Sequence, residues 1–543
     1  MEVVVLVGMP ASGKSAVGAH VAASLGLTFV DLDARVAEAT GMPVAALLKR
    51  DGEASMRLRE AEELDRALAA PGPQLIAAGG GTPCFHEGMT RMLARARVVW
   101  LDAPVETLVE RTLQDAERPL LGHTRLEQTV ALRDLAARRS ATYARAHLRV
   151  DATAPVPAVV RQVQAALRPQ TELVVAFAQH RHPLIVHGGG AGDAAEAVAA
   201  LATDGRKIAL VVDRKARSHA EPLQAMLAAR GLAVHLIEVP GGEKSKDLRM
   251  VAKLWQDLAA RGFGRSDLLV GLGGGATTDL TGFVAATWLR GVRWVALPTT
   301  VLAMADASVG GKTAIDLAAG KNLVGAFHPP VLVVLCLGTL STLPGPEWRS
   351  GLAEIAKVFL AGDAAAWRDL IRDAPALRRR STPALEPHLL RAVAQKAAIV
   401  ERDPRDEGER NLLNLGHTLG HALEADSGYT LRHGEAVALG MVAAADVSVA
   451  LGEAPLELAA QVRAGLQALD LPTAWEPLAT PSVLGRLAQD KKMAGEGLRF
   501  VALGGLGAAA VRPMPLAALQ AMLGDLAMRA PPVRQPRALA LRR

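Results

Sequence analysis

Short apolar runs ending in glycine or acidic residues, each leading into helix-like spacing, recur along this chain and predict an α/β architecture. Residues 2–7 form an apolar strand, the glycine-containing stretch from Gly8 to Ser15 comes at once after it, and an amphipathic helix is expected from Ala16 onward. Residues 29–33 read as a second strand ending in two carboxylates, Asp31 and Asp33, and another apolar run precedes Gly79, Gly80 and Gly81. After a proline-interrupted stretch at 154–169, strands are expected near 183–186, 207–213 and 234–239. A buried strand at 268–272 runs into Gly273, Gly274 and Gly275, then into an apolar-periodic helix through Phe283, Val284 and Leu289. Beyond residue 322 the pattern turns helical. The expected domains are 1–168, an α/β module with a parallel sheet and helices on both faces; 172–330, a second α/β unit; 331–530, mainly α-helical; and 531–543, a basic tail.

Composition narrows the classes. At 543 residues the chain is too long for one core. Half of it is hydrophobic and only 3% aromatic, so the cores must be built mainly from Ala, Val and Leu. No uncharged apolar run reaches the roughly 18 residues that span a bilayer, since even 436–451 is interrupted by Asp446. The absence of a basic n-region and cleavage site, with Cys84 and Cys336 as the only cysteines, predicts a reducing cytoplasm. A formal charge of +6 is small for this length and argues against a nucleic-acid partner; basic pockets for phosphorylated small molecules account for it better.

Gly8, Gly13, Lys14 and Ser15 spell G-x-x-x-x-G-K-S between a strand and a helix, the context that defines a P-loop. Backbone N–H groups of Gly8, Ala11, Ser12 and Gly13 would cradle ATP phosphates. Lys14 would reach the β and γ oxygens, and Ser15 would hold Mg²⁺ with help from Asp31. With Arg57, the glycines 79–81, Arg118 and Arg139 added, residues 1 to about 165 resemble shikimate kinase. The resemblance implies that Asp33, Arg57, Gly79, Gly80, Gly81 and Arg139 bind shikimate, Asp33 placing its hydroxyl, and that Arg118 closes a lid over ATP. A gluconate-type kinase is the alternative.

The glycine turn at 273–275 lacks the downstream acid of a dinucleotide fingerprint, because 291–301 contains none. The next fifty residues are richer in candidate chemistry: Asp279, Arg290, Pro298-Thr299-Thr300, Asp306, Gly310-Gly311-Lys312 and Lys321-Asn322. This run resembles 3-dehydroquinate synthase, with Asp316 where many members have Asn and Lys215 where Asn is frequent. The resemblance implies NAD contacts from Asp213, Glu243, Lys244, Gly274, Gly275, Asp279, Thr299, Thr300, Asp306, Lys312 and Lys321. It also implies a heptulosonate phosphate site of Arg290, Asp306, Lys312, Asn322, Lys357, Lys396, Arg410, Asn414, His421, Lys491 and Lys492.

Three histidines within seventeen residues, His417, His421 and His433, form a set typical of zinc. Spacing alone would pair His417 with His421 at i and i+4; the resemblance assigns Zn²⁺ or Co²⁺ to Glu354, His417 and His433 and leaves His421 to face substrate. It implies conversion of 3-deoxy-D-arabino-heptulosonate 7-phosphate to 3-dehydroquinate and phosphate, with NAD as a transient oxidant. Lys312, Lys357, Lys396, Arg410, Asn414 and His421 would act at the reacting substrate, as Lys14, Asp33 and Arg118 would in the kinase. A different sugar-phosphate cyclase or a metal-dependent polyol dehydrogenase are the alternatives for this module. The expected partners are small molecules, with no membrane; a homodimer through the C-terminal module stays open.

Overall fold

Four of the five residues of β1 (Val3–Val7) are buried, as a strand covered on both faces must be. In the computed structural model β1 is central to an all-parallel sheet with β2 (Thr28–Asp31), β3 (Gln74–Ala77), β4 (Arg97–Asp102) and β5 (Leu148–Asp151), ordered β2-β3-β1-β4-β5. The chain moves from β1 to β2 on one side and later to β4 on the other. A ligand crevice therefore opens beyond the carboxyl end of β1, where the glycine loop stands. The structure describes residues 3–113, 124–167, 171–178, 180–202, 206–489, 493–494 and 497–529; Arg118, Lys491, Lys492 and the tail 531–543 lie outside them.

The second unit is a seven-stranded sheet. Its strands are β6 (Thr171–Phe177), β7 (His180–His187), β8 (Lys207–Asp213), β9 (Ala233–Val239), β10 (Leu268–Gly273) and β11 (Arg293–Pro298), completed by a later strand. Between them β12 (Lys312–Leu317) and β13 (Gly320–Phe327) form a separate antiparallel hairpin. The seventh strand, β14 (Leu332–Cys336), is wholly buried and lies between β7 and β11, giving the order β6-β7-β14-β11-β10-β8-β9. The expected domain boundary at 330 is therefore too early, because the sheet takes an internal strand from beyond it. All strands run parallel except β6, which pairs antiparallel with β7.

Helices Gly345–Gly362, Thr382–Arg402, His417–Asp426 and His433–Ala450 come next. An antiparallel ribbon, Gly497–Gly505 with Ala508–Pro515, adds strands to a region that the sequence predicts as mainly helical. One apolar core runs from Val211 and Leu269 in the sheet to Leu352, Phe359, Leu389 and Val442 in the helices. A site at the seam is thus held by both units. No described helix is long and apolar enough to cross a membrane.

The two halves of the chain touch. β5 is the edge strand of the first sheet, and an uncovered edge invites unwanted pairing. Here the turn Ala191–Ala194 of the second half packs on β5, with Asp193 buried. Ala229 lies against the core of the first half, and Arg97 donates to Glu196 Oε2 at 3.3 Å. That exposed ion pair contributes ~0–1 kcal/mol; the covered edge and apolar contact matter more. We predict that a chain cut at a protease site placed at 168–170 elutes as one particle in gel filtration. Two separate peaks would contradict the contact.

Candidate functional sites

The loop after β1 is shaped for an anion. Ala11 and Gly13 have φ 62 and 89°, and the helix Lys14–Leu25 begins directly behind them, so its N–H groups point into the turn. Lys14 Nζ donates to the carbonyls of Gly8 and Met9 at 3.0 and 2.9 Å. Ser15 Oγ donates to Asp31 Oδ2 at 2.6 Å. These two oxygens fit a shared hydrated Mg²⁺, a hard ion that takes few protein ligands. Asp31 also accepts from the N–H groups of Asp33 and Ala34, capping helix Leu32–Thr40. The strand thus ends at Asp31. Asp33 belongs to the first turn of the helix and not to the strand, because the cap bends the chain there.

Beside this loop the expected shikimate residues converge. Arg57, largely buried, donates to Glu60 Oε2 at 2.8 Å and to Glu53 Oε1 at 3.0 Å. Its guanidinium stacks over Phe85 at 4.8 Å. Burial pulls Arg57 down, but Glu60 and Glu53 outweigh it and raise its pKa; burial raises Glu60. Side chains on the glycine turn would fill the space: a Cβ on Gly79 would meet Asp33, one on Gly80 would meet Arg139, and one on Gly81 would collide with Arg57. Glu60, which orients Arg57, follows it at i, i+3, the spacing that puts both on one helix face.

In the second unit Gly274 is the N-cap of helix Gly275–Thr287. That helix stops at Thr287: Leu289 and Arg290 lie beyond it in a turn with φ 49 and 67°, so Leu289 is not on the apolar helix face as its spacing predicts. Asp213 ends β8 and accepts from the Lys215 N–H at 2.9 Å. A Cβ on Gly241, which has φ 77°, would strike the Asp213 carboxylate. Thr299 and Thr300 lie across from the glycine turn, Thr299 N–H donating to the Gly273 carbonyl at 2.8 Å.

Lys244 is exposed, whereas Lys246 is buried and donates to Asp279 Oδ2 at 2.8 Å and Asn322 Oδ1 at 2.6 Å. The spacing Glu-x-x-Lys from Glu243 points to Lys246. Asp316 accepts from the Asn322 N–H at 2.8 Å.

The seam holds a cluster of charges. Lys396 Nζ donates to the carbonyl and Oδ1 of Asp306 at 2.5 and 2.7 Å. Lys357 lies 3.9 Å from the same Asp306 oxygen and donates to Glu354 Oε2 at 2.5 Å. Lys357 is held charged by Glu354 and Asp306 against burial, whereas burial and its cationic neighbours lower Lys396. Lys312 pairs with Asp406 at 2.6 Å, a carboxylate that the sequence does not single out. Arg410, buried, donates to the Pro404 carbonyl at 2.9 Å, and burial lowers its pKa. Asn414 stands at the end of the turn Glu409–Asn414 and lines a narrow cavity with Gly416 and Phe500. Arg290 is exposed, and its side chain pairs with no described residue of the cluster.

His417 and His433 are the first residues of their helices. With Glu354 they offer ligand atoms that all lie within 4.8 Å of one another. Glu354 is 1% exposed, and its Oε1 has no hydrogen-bond partner, although His433 Nε2 stands 3.3 Å away. A buried carboxylate oxygen facing two imidazoles fits a divalent cation of the Zn²⁺ or Co²⁺ kind. Burial pulls the His433 pKa down, but Glu354 and Glu424 outweigh it and push it up to about 10. His421 is exposed, its ring 5.1 Å from that of His417, and it is not among the converging ligand atoms. We predict that His433→Ala loses bound metal while His421→Ala retains it, measured as metal content per chain. The opposite result would establish the i, i+4 pair.

Comparison with known proteins agrees with this division. Residues 10–168 match the shikimate kinase family; residues 236–350 and 351–493 match the N-terminal and C-terminal parts of 3-dehydroquinate synthase. The 3-dehydroquinate synthase of Thermobifida fusca is 43% identical over 333 residues, which is 61% of this chain and 90% of that protein. The solved structure of 2-epi-5-epi-valiolone synthase from Streptomyces hygroscopicus, with NAD⁺ and Zn²⁺ bound, is 28% identical with a TM-score of 0.60, covering 66% of this chain and all of that one. A 2-deoxy-scyllo-inosose synthase complexed with carbaglucose-6-phosphate, NAD⁺ and Co²⁺ is 25% identical with a TM-score of 0.58, covering 65% and 99%. The chain therefore belongs to the 3-dehydroquinate synthase family and carries a shikimate kinase domain ahead of it.

Proposed function

We propose that the N-terminal module transfers a phosphoryl group from Mg²⁺-ATP to shikimate, and that the C-terminal module converts 3-deoxy-D-arabino-heptulosonate 7-phosphate to 3-dehydroquinate and phosphate. Both reactions belong to one pathway, that of aromatic amino acid and chorismate biosynthesis. The observation that carries the reading is the convergence of Glu354, His417 and His433 beside the Asp306, Lys357 and Lys396 cluster.

In the kinase module, catalysis rests on position and charge. Lys14 and the loop N–H groups balance the phosphate charge, while Arg57 and Arg139 hold the carboxylate of the acceptor. Asp33 takes the hydroxyl hydrogen bond that sets the nucleophile in line. In the cyclase module, Lys312, Lys357, Lys396 and Arg410 attract a substrate carrying both carboxylate and phosphate. Asn322 and Asn414 orient its oxygens, and His421 presents an exposed imidazole able to hold a proton at a substrate oxygen. When bound, the metal would supply Lewis-acid stabilisation and NAD a reversible hydride acceptor. Glu354, His417 and His433 would hold the first; the turn at Gly274, with Asp213, Lys246 and Asp279, would hold the second.

A polyol dehydrogenase has no use for so many cations around one substrate, and the identity to the valiolone and inosose synthases is well below the 43% to a 3-dehydroquinate synthase. The unpaired thiols of Cys84 and Cys336 fit a cytoplasmic setting. The test is to supply each substrate with its cofactors and identify both products. Lys14→Ala should abolish shikimate-dependent ADP release and leave heptulosonate phosphate turnover unchanged. Chelation should do the reverse once Mg²⁺ is restored. Loss of both activities together in Lys14→Ala would contradict this reading.

A further inference from the structure

Glu424 lies at the candidate metal centre but is not one of its three ligands. It is seven residues, two helical turns, after His417, so His417, His421 and Glu424 share one face of helix His417–Asp426. The side chain is about one-tenth exposed. Its Oε2 stands 3.2 Å from His433 Nδ1, and its Oε1 accepts from Lys321 Nζ at 2.8 Å. Lys321 is further held over the Tyr429 ring at 4.3 Å.

Without a cation Glu354 and Glu424 favour the imidazolium form of His433; as a metal ligand the ring would be neutral, with its proton on one nitrogen and its lone pair on the other. His433 Nε2 faces Glu354 Oε1 at 3.3 Å, whereas Nδ1 faces Glu424. A carboxylate can only accept, so a proton on Nδ1 is kept there and the lone pair is left on Nε2, the nitrogen toward Glu354 and His417. A first-turn histidine has few helix neighbours to fix its ring, and Glu424 comes from a different helix. Its contact therefore supplies orientation that the backbone does not.

Resting on the proposed metal site, we propose that Glu424 is a positioning residue. With one oxygen it fixes the ring and tautomer of His433 toward the metal, and with the other it fixes Lys321 on β13, joining the metal side of the site to the hairpin. The same geometry would arise if Glu424 served only to neutralise Lys321, and the two roles separate experimentally.

Zinc affinity is measured on the full chain by competition with a chromophoric chelator, and the ligand field by the visible spectrum of the Co²⁺ form. Glu424→Ala should weaken zinc binding about 10–100-fold and shift the cobalt bands, the usual cost of losing a carboxylate behind a histidine ligand. Glu424→Gln, whose amide oxygen can still accept from Nδ1–H, should fall between it and wild type. Lys321→Met should leave zinc affinity within about twofold. Zinc affinity and cobalt bands unchanged in Glu424→Gln and Glu424→Ala, with His433→Ala still losing the metal, would overturn this inference alone. A wild-type chain that takes up no zinc would overturn the metal site with it. Should Glu424→Ala fail to fold, the near-isosteric Glu424→Gln decides: bands and affinity identical to wild type count against the proposal.

Discussion

Glu354 and Lys357, one helical turn apart, and Asp306 and Lys396 on neighbouring segments are charges taken out of water at the seam between sheet and helices. Such charges are tolerable only while each has its partner, and removing one member of a buried pair costs about 3–5 kcal/mol. Glu354 comes from a helix buried along most of its length, Asp306 from the turn Ala303–Ala307, and Lys396 from helix Thr382–Arg402. None of these segments can shift independently without exposing an unpaired charge. The cluster therefore specifies how the helices seat on the sheet, and the same seating brings His417 and His433 to Glu354. Stability and the reaction centre share one set of contacts.

Much of this was readable in the residues. The P-loop and the glycine turn at 273–275 announce themselves because backbone conformation there demands particular residues in a fixed order. The metal set was harder: spacing favoured His417 with His421, and only packing between helices brings His433 and Glu354 to the same point. Glu60, Lys246 and Glu424 carry a spacing signal, at i+3 from Arg57, i+3 from Glu243 and i+7 from His417, but only packing shows what each one holds; Asp406 stays hidden, since a charged side chain on a loop reads as solvated until its partner across the fold is known. The β14 strand is not legible as a strand, because a buried apolar run of five residues has no periodicity to distinguish it from a helix segment. The helix end at Thr287 is obscured for a related reason: Leu289 continues the apolar spacing, but its backbone has left the helix.

Two complete sets of chemistry on one chain imply independence, yet the halves are not separate bodies. The edge of the first sheet is covered by the turn Ala191–Ala194, which also buries Asp193. Covering an edge strand protects the kinase sheet from pairing with other chains and places the two crevices on one framework without merging them. The contact makes the second half a structural support for the first, while each reaction keeps its own residues.

The central claim is that Glu354, His417 and His433 form a single divalent-cation site. It is tested most directly by anomalous diffraction from crystals of the chain soaked in Co²⁺, with data on both sides of the cobalt edge. The expected result is one strong peak bounded by Glu354, His433 Nε2 and His417, with His421 outside the ligand distance. A peak bounded by His417 and His421, or none at the seam, would contradict it.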